Sequence, residues 1–371
     1  MTDPTLALRE RMARELAERG LARSERWQRA FRRVPRHRFV PRFYEADGTM
    51  IDLETMENPE QGLARVYRAD EPLVVGWDGR TGNATASSSA PAIMAAMLDR
   101  LELEPGHRVL EVGTGTGYGA ALLAEVAGPD RVTTVDVDRR LVAEARARLD
   151  ALGYRVTVEC ADGFGGWPTG APYDRVIATC MAPRVPRAWV EQAPGGLIVA
   201  VVVQMMAVLR VGADGRAQGR FSHHTMWFMQ DRRHAPAQVT ETEARAAMAG
   251  GHRRRARVPL RQIMGGEIVP AFWDLFKLFH LPYSFEFAPA KGQVGIVARD
   301  DRSWVLLEDD EEGGWVTQGG RRRLWDEAEG LYLRLLEAGA PGRDRFGLTV
   351  RPDGGQVVWL DHPESGYRWE L

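Results

Sequence analysis

The chain has little cysteine, with Cys160 and Cys180 alone among 371 residues. Two thiols so spaced supply neither a disulfide framework nor a zinc-binding pattern. Both are expected to be reduced, small and buried at strand ends beside a crevice. No sign of charge prevails: 49 Lys plus Arg stand against 51 Asp plus Glu, for a formal net charge of −2. That balance gives no global attraction to nucleic acid or to an anionic membrane. No apolar run reaches the roughly 20 residues of a bilayer-spanning helix. Residues Met1–Arg9 lack a secretion-signal pattern, so a cytoplasmic location is expected. There is no internal repeat, no low-complexity tract and no G-x-x-x-x-G-K-[ST] phosphate loop. What remains is an ordinary globular composition, 44% hydrophobic and 27% charged, long enough for two or three domains.

The richest stretch runs from Arg108 to Tyr118 and reads RVLEVGTGTGY. Val109, Leu110 and Val112 mark a buried strand, followed by a glycine-rich turn and a helix from Ala120 to Ala127. Gly113, Gly115 and Gly117 alternate through the turn, where glycine permits φ > 0 and close approach of a ligand to the backbone. The helix N-terminus adds unpaired N–H groups. This combination suits a nucleotide-like cofactor at the carboxyl end of a parallel strand. A second strand, Arg131 to Asp136, ends in an acid 19 residues after Gly117, close to the spacing at which a carboxylate meets a ribose diol. The glycines follow G-x-G-x-G, not the G-x-G-x-x-G that receives a pyrophosphate. A third strand (Arg155–Glu159) leads to Asp162 and Gly163. A fourth spans Tyr173–Ala178, and a fifth, Leu197–Val203, follows the Pro194–Gly196 turn. Strands alternating with helices predict an α/β, doubly wound, Rossmann-like parallel sheet.

Residues 5–35 carry helical periodicity in Leu6, Leu8, Met12, Leu16, Trp27 and Phe31. The basic segment Phe31–Phe39 is expected to be a solvated face, and residues 45–70 an irregular connection. The expected organisation is an N-terminal helical and loop segment over 1–83, a cofactor domain over 84–232 and a C-terminal α+β domain over 233–371. Within the cofactor domain, Met205–Val211 and Thr225–Gln230 are expected to be late strands around the Ala213–Gly215 turn. Residues 233–265 read as a polar, basic connection. Beyond it come a helix through Phe272, Leu275, Phe276 and Phe279, then a hairpin of Val294–Ala298 with Trp304–Leu307. A second helix follows through Leu324, Ala328, Leu331 and Leu335, and two strands, Phe346–Val350 and Val357–Leu360, flank the Pro352–Gly355 turn. Seven of the 11 tryptophans lie at or beyond Trp227, so this part needs its own core or forms a binding surface.

The pattern E-x-G-x-G-x-G from Glu111 resembles motif I of the class I S-adenosylmethionine (SAM) methyltransferases. The resemblance implies SAM as cofactor, bound by Glu111, Gly113, Thr114, Gly115, Gly117, Tyr118, Asp136, Val137, Asp162, Gly163 and Thr179, with Asp162 at the adenine edge. Phe31–Val40, Asp70–Gly76, Ser87–Pro91, Ala171–Asp174 and the Val185–Gly196 region resemble the protein L-isoaspartate O-methyltransferase family in order and spacing, over residues 5–232. In that family a T-I-S-x-P motif sets a hydroxyl over the acceptor carboxylate. Ser89 stands at that position, so it is the expected catalytic residue, and Ser88 and Ser89 are expected to touch substrate.

Two departures border this site. The family's G-Q-T-I-S run is replaced by GNATASSS over 82–89, and an insertion lies at 45–68. Together with the extra C-terminal part, they resemble the divergent methyltransferases that act with ATP-grasp ligases on graspetides, or with lanthipeptide synthetases. That resemblance implies a ribosomally made peptide as substrate and a partner ligase in the same biosynthetic cluster. It also implies that the aspartyl methyl ester collapses to a succinimide (aspartimide) and then gives isoaspartate. The alternative is a repair methyltransferase acting on isoaspartyl damage in many proteins.

A carboxylate is already ionised at pH 7, so its methylation needs positioning and not a general base. A serine hydroxyl donates one hydrogen bond and leaves the second carboxylate oxygen free. Ser89 also stands where serine caps a helix beginning near Pro91. His223 and His224 are adjacent on a strand, where side chains face opposite ways, and no metal is expected. The acidic run Glu308–Glu312 is expected at a solvated hairpin tip. A non-catalytic SAM-fold binder is disfavoured by the complete motif set, and a small-molecule O-methyltransferase by the lack of a His–Asp base pair in the motif regions.

Overall fold

The computed structural model describes residues 3–80, 83–226, 228–229, 233, 236–248 and 250–371. Two helices open the chain, α1 (Leu6–Glu18) and α2 (Glu25–Arg33); the Ser24 side chain caps α2 by accepting the Trp27 N–H. Met12, Leu16, Trp27 and Phe31 enter one apolar cluster, as their helical spacing predicts. A single turn, α3 (Arg36–Phe39), follows and buries Arg36 and Phe39. The basic segment is therefore not a solvated face throughout: Arg33 and Arg38 reach solvent, but fully buried Val34, Phe39 and Val40 carry Arg36 inside with them.

Next come β1 (Arg42–Tyr44), β2 (Met50–Asp52), α4 (Pro59–Val66), β3 (Leu73–Asp78) and β4 (Asn83–Ser88). The strands form a small sheet in the order β2–β1–β3–β4. The stretch expected to be irregular thus holds a strand and a helix, both too short to display a period. Asn58 starts α4 by accepting the Gln61 N–H, with Pro59 in the first turn,. A boundary at 83/84 falls inside β4.

The parallel part is built from α5 (Pro91–Arg100), β5 (Val109–Val112), α6 (Tyr118–Ala127), β6 (Val132–Asp136), α7 (Arg139–Ala151), β7 (Thr157–Cys160), β8 (Arg175–Ala182), α8 (Arg187–Glu191) and β9 (Leu197–Val202). β5 lies between β6 and β8; the chain runs outward to β7, then crosses back to β8 and β9. This is the doubly wound α/β arrangement, and the reversal of strand order opens a crevice at the carboxyl ends of β5 and β8. β5 and β9 are buried along their whole length, as strands covered on both faces are. Cys160 ends the edge strand β7 and is exposed, contrary to the buried position expected; Cys180 is half-buried, and neither is in a disulfide.

β10 (Met205–Val211) and β11 (Ala217–Thr225) continue antiparallel. Expected at Thr225–Gln230, the second late strand lies earlier, because the 213–215 turn is tight and its partner starts at once. Gly219 masks the two-residue period; it sits against the Val208 carbonyl, where no side chain fits. Trp227 and Gln230 lie outside the described residues, and Phe228 and Met229 are in no strand. The β10–β11 register shifts between Met205 and Ala207. There the His223 and His224 rings lie 4.0 Å apart, not on opposite faces. No group of three His, Cys, Asp or Glu among the described residues is placed to hold a metal.

The remainder begins with α9 (Glu241–Ala247), β12 (His252–Arg255), α10 (Leu260–Met264) and α11 (Phe272–His280). It continues through β13 (Ser284–Phe287), β14 (Gln293–Ala298), β15 (Trp304–Glu308), β16 (Trp315–Gly319) and α12 (Leu324–Glu337). The strands order as β12–β16–β15–β14–β13. The expected polar connection at 233–265 therefore contains two helices and an edge strand. Arg253 and Arg255 of that strand lie over the Trp315 ring, 4.6 and 4.2 Å from its centroid. The acidic run is a hairpin tip, with Asp310 and Glu312 paired to Arg255.

The last strands, β17 (Phe346–Val350), β18 (Gln356–Leu360) and β19 (Arg368–Glu370), leave that sheet. β17 pairs with β11, giving a ten-stranded order β19–β18–β17–β11–β10–β9–β8–β5–β6–β7. The β-rich C-terminal part is thus continuous with the cofactor sheet, and one apolar cluster runs from Leu110 to Leu360. Trp325 is fully buried, and Trp304 and Trp359 nearly so, so these tryptophans build core. No helix among the described residues is long and apolar enough to cross a membrane.

Candidate active site

The crevice at the strand ends is a cleft of about 990 Å³, its mouth included. Ser88, Ser89, Glu111, Gly113, Thr114, Gly115, Tyr118, Asp136, Val137, Asp162, Gly163 and Thr179 all line it. Gly117, expected among them, does not: it is the N-cap of α6, packed against Ala145 of α7.

The turn after β5 explains its glycines. Gly113, Gly115 and Gly117 have φ of 100°, 51° and 88°, in the left-handed region that favours glycine. The Gly115 N–H donates to Asp136 Oδ2 at 3.0 Å, and Asp136 Oδ1 accepts the Asp138 N–H at 3.0 Å. A side chain at Gly115 would project across the cleft toward the Ser87 carbonyl, 3.7 Å from its Cβ. Glu111 is 1% exposed and accepts a hydrogen bond from Thr134 Oγ1 at 2.6 Å. Burial, reinforced by the nearby Asp136 charge, pushes its pKa up to about 8, so it is protonated at neutral pH. Its carboxyl packs on Gly119 of α6, where even a methyl group would collide.

The parallel pairing of β8 with β9 slips between Ala178 and Met181. The two residues skipped, Thr179 and Cys180, line the cleft. Such a bulge re-aims side chains next to a site. Thr179 Oγ1 donates to the Gly113 carbonyl at 2.8 Å, fastening the bulge to the glycine turn. Asp162 accepts the Phe164 N–H at 3.0 Å and lies 3.6 Å from Arg233.

β4 ends in Ser87 and Ser88, Ser89 follows it, and all three line the cleft. Ala90, not Ser89, is the N-cap of α5, and no side chain caps that helix. The Ser89 hydroxyl is therefore not spent on capping. The Ser89 carbonyl accepts from Arg36 Nη2 at 3.0 Å. Arg36 is a residue that sequence reasoning missed, hidden in a run of arginines. Its guanidinium is fully buried, and burial pulls its pKa down to about 10. Phe228 and Met229 also line the cleft, and the Met229 carbonyl accepts the Met181 N–H at 3.0 Å. Their lack of periodicity left no signal.

Glycines whose backbone conformation bars side chains, an open cleft at a switch point, and carboxylates at the ends of β6 and β7 fit an adenosine-bearing cofactor. Fold and site define a class I SAM-dependent methyltransferase. Residues 7–230 match the profile of the family described as protein-L-isoaspartate(D-aspartate) O-methyltransferase, and the chain belongs to that family. It is an O-methyltransferase, and its cofactor is SAM. A protein-L-isoaspartate O-methyltransferase of Methanopyrus kandleri is 41% identical over 220 residues, covering 57% of this chain and 86% of its own. One from Aeropyrum pernix is 38% identical over 226 residues, covering 59% of this chain and 77% of its own. A solved protein-L-isoaspartate O-methyltransferase aligns over 95% of this chain and 100% of its own, with a TM-score of 0.56 and 22% identity. That likeness concerns the fold and takes in the C-terminal part.

Proposed function

We propose that this chain methylates the free carboxylate of isoaspartyl residues in peptides or proteins. The observation that carries the proposal is Ser89, its hydroxyl free of any capping role, on the lining of the same cleft as the glycine turn. SAM supplies an electrophilic sulfonium methyl. The turn backbone at Gly113 and Gly115, with Asp136 and Asp162, would hold it. The acceptor carboxylate is ionised at pH 7 and requires no base. Ser89 donates to one carboxylate oxygen and leaves the other to attack. Met94, Phe228 and Met229 line the same space and exclude water from around the nucleophile. Among the described residues no Lys or Arg lines the cleft. In the ester, attack by the next backbone nitrogen closes a succinimide and releases methanol.

A dedicated peptide substrate with a partner ligase is the second reading. It is favoured by the altered serine run, of which Gly82 lies outside the described residues. The extension lends it no support, since a protein named for isoaspartate shares the fold over 95% of this chain. Two peptides identical but for Asp or isoAsp at one position separate the readings by mass spectrometry with SAM. Gain of a methyl group by the isoaspartyl peptide alone is expected, with later loss of methanol. Methylation of the aspartyl peptide, or of neither until a ligase-modified precursor is supplied, would overturn the proposal.

A further inference from the structure

Arg36 does not line the cleft, yet its buried guanidinium is bonded to backbone through both terminal nitrogens. Nη2 donates to the carbonyls of Ser89 at 3.0 Å, Ser88 at 3.2 Å and Glu71 at 3.4 Å, with Ser88 Oγ at 3.5 Å. Nη1 donates to the Val66 carbonyl at 2.5 Å. The Tyr118 ring lies beneath, its centroid 5.9 Å from the guanidinium carbon. Among the described residues no carboxylate is hydrogen-bonded to this cation; the nearby Glu71 carboxylate is engaged by Arg65 and Arg68 instead. Burying a charge against carbonyl dipoles is a costly way to fill space, and an apolar side chain would serve packing better.

The two serine carbonyls show what the arrangement achieves. The Ser88 carbonyl belongs to the peptide plane before the Ser89 α-carbon, and the Ser89 carbonyl to the plane after it. Each peptide unit is rigid and planar, so holding both planes fixes the φ and ψ between them. The direction of the Ser89 Cα–Cβ bond, and hence the reach of its hydroxyl, follows. We propose that Arg36 is a positioning residue for methyl transfer, aiming the Ser89 hydroxyl by clamping the two peptide planes that flank it. The inference rests on the reading of Ser89 as the hydroxyl that holds the acceptor. Lysine cannot substitute, because a single ammonium lacks the planar fork that spans several carbonyls at once.

The test is a double-mutant cycle on the full chain: wild type, Arg36→Lys, Ser89→Ala and the double variant. It compares single-turnover methyl transfer to an isoaspartyl peptide with S-adenosylhomocysteine affinity by calorimetry. Arg36→Lys should slow transfer about a hundredfold, the loss a misplacement of about 1 Å causes. Cofactor affinity should stay near that of wild type, and the double variant should be no slower than Ser89→Ala alone. If Arg36→Lys does not fold, Arg36→Gln, whose amide is planar, takes its place in the cycle. Losses that multiply in the double variant, or wild-type rates in the folded single variant, would overturn the positioning role. A Ser89→Ala protein at full rate would sink the reading of Ser89 itself. Wild type inert toward every isoaspartyl peptide would sink the proposed function.

Discussion

Gly115 and Glu111 show how residue-level physics decides what the cleft tolerates. Gly115 has φ of 51°, a region that costs an ordinary residue about 1–2 kcal/mol, and its side-chain direction crosses the cleft. Gly115→Val is therefore expected to fold with modest loss of stability and to bind S-adenosylhomocysteine too weakly for calorimetry to detect. Unchanged affinity in a folded variant would remove the cofactor from this turn. Glu111 adds a pH dependence. Its pKa is raised from 4.5 to about 8, so the folded chain keeps a proton that the unfolded chain releases. The stability gained is complete below the unfolded value and is lost as pH rises through the folded one. The slope is at most about 1.4 kcal/mol per pH unit. Glu111→Gln stays neutral, so its melting temperature should fall less than that of wild type between about pH 5 and about pH 8. Parallel melting curves would mean that Glu111 is ionised in the fold. The glycines, Asp136 and Asp162 are legible in the sequence because a positive φ or a strand-end acid leaves a local mark. Arg36 leaves none: its role depends on carbonyls 30 to 53 residues away.

At the scale of elements, local pattern sets what forms, and distant partners set where it docks. The α11 and α12 helices, the β14–β15 hairpin and the β17–β18 pair are readable from apolar spacing and turn residues. The attachment of β17 to β11 is not, since it joins residues 217–220 to 347–350. The four polar residues of β12 likewise have no strand period of their own; β16 and α12 hold them. Glu329 of α12 is fully buried and accepts hydrogen bonds from Arg254 Nη2 and the Arg257 N–H, each at 2.7 Å. Removing Glu329 takes the acceptor from the Arg257 N–H and one of two carboxylates from Arg254, which keeps its pair with Asp326. Glu329→Ala is expected to lower stability by about 1.5–3 kcal/mol, the worth of hydrogen bonds to a charged group, read from the denaturant midpoint at unchanged slope. A loss below about 1 kcal/mol, the range of surface pairs, would show that the pair is solvated and does not anchor β12 to α12.

For the whole molecule, the question is whether the C-terminal part is an appendage or part of the cofactor fold. A chain divided at residue 232 would leave β11 as a bare sheet edge and strip Leu260, Phe272, Leu275 and Trp325 from the cluster that also holds Leu110, Ala178 and Met205. Exposed edges and a halved core favour aggregation over folding. The truncated chain is therefore expected not to reach a cofactor-binding state, and the full chain to unfold in one transition. Independent domains separate on heating, whereas parts sharing one core melt together. Calorimetry checks the transition, and tryptophan emission follows it independently, through Trp304, Trp325 and Trp359 of the C-terminal part together with the buried Trp27 and Trp189. S-adenosylhomocysteine binds only the folded cleft, so saturating ligand should move the calorimetric and fluorescence midpoints upward together. An early fluorescence transition that the ligand leaves in place, with cofactor binding intact beyond it, would show the C-terminal part to be separable despite the shared sheet.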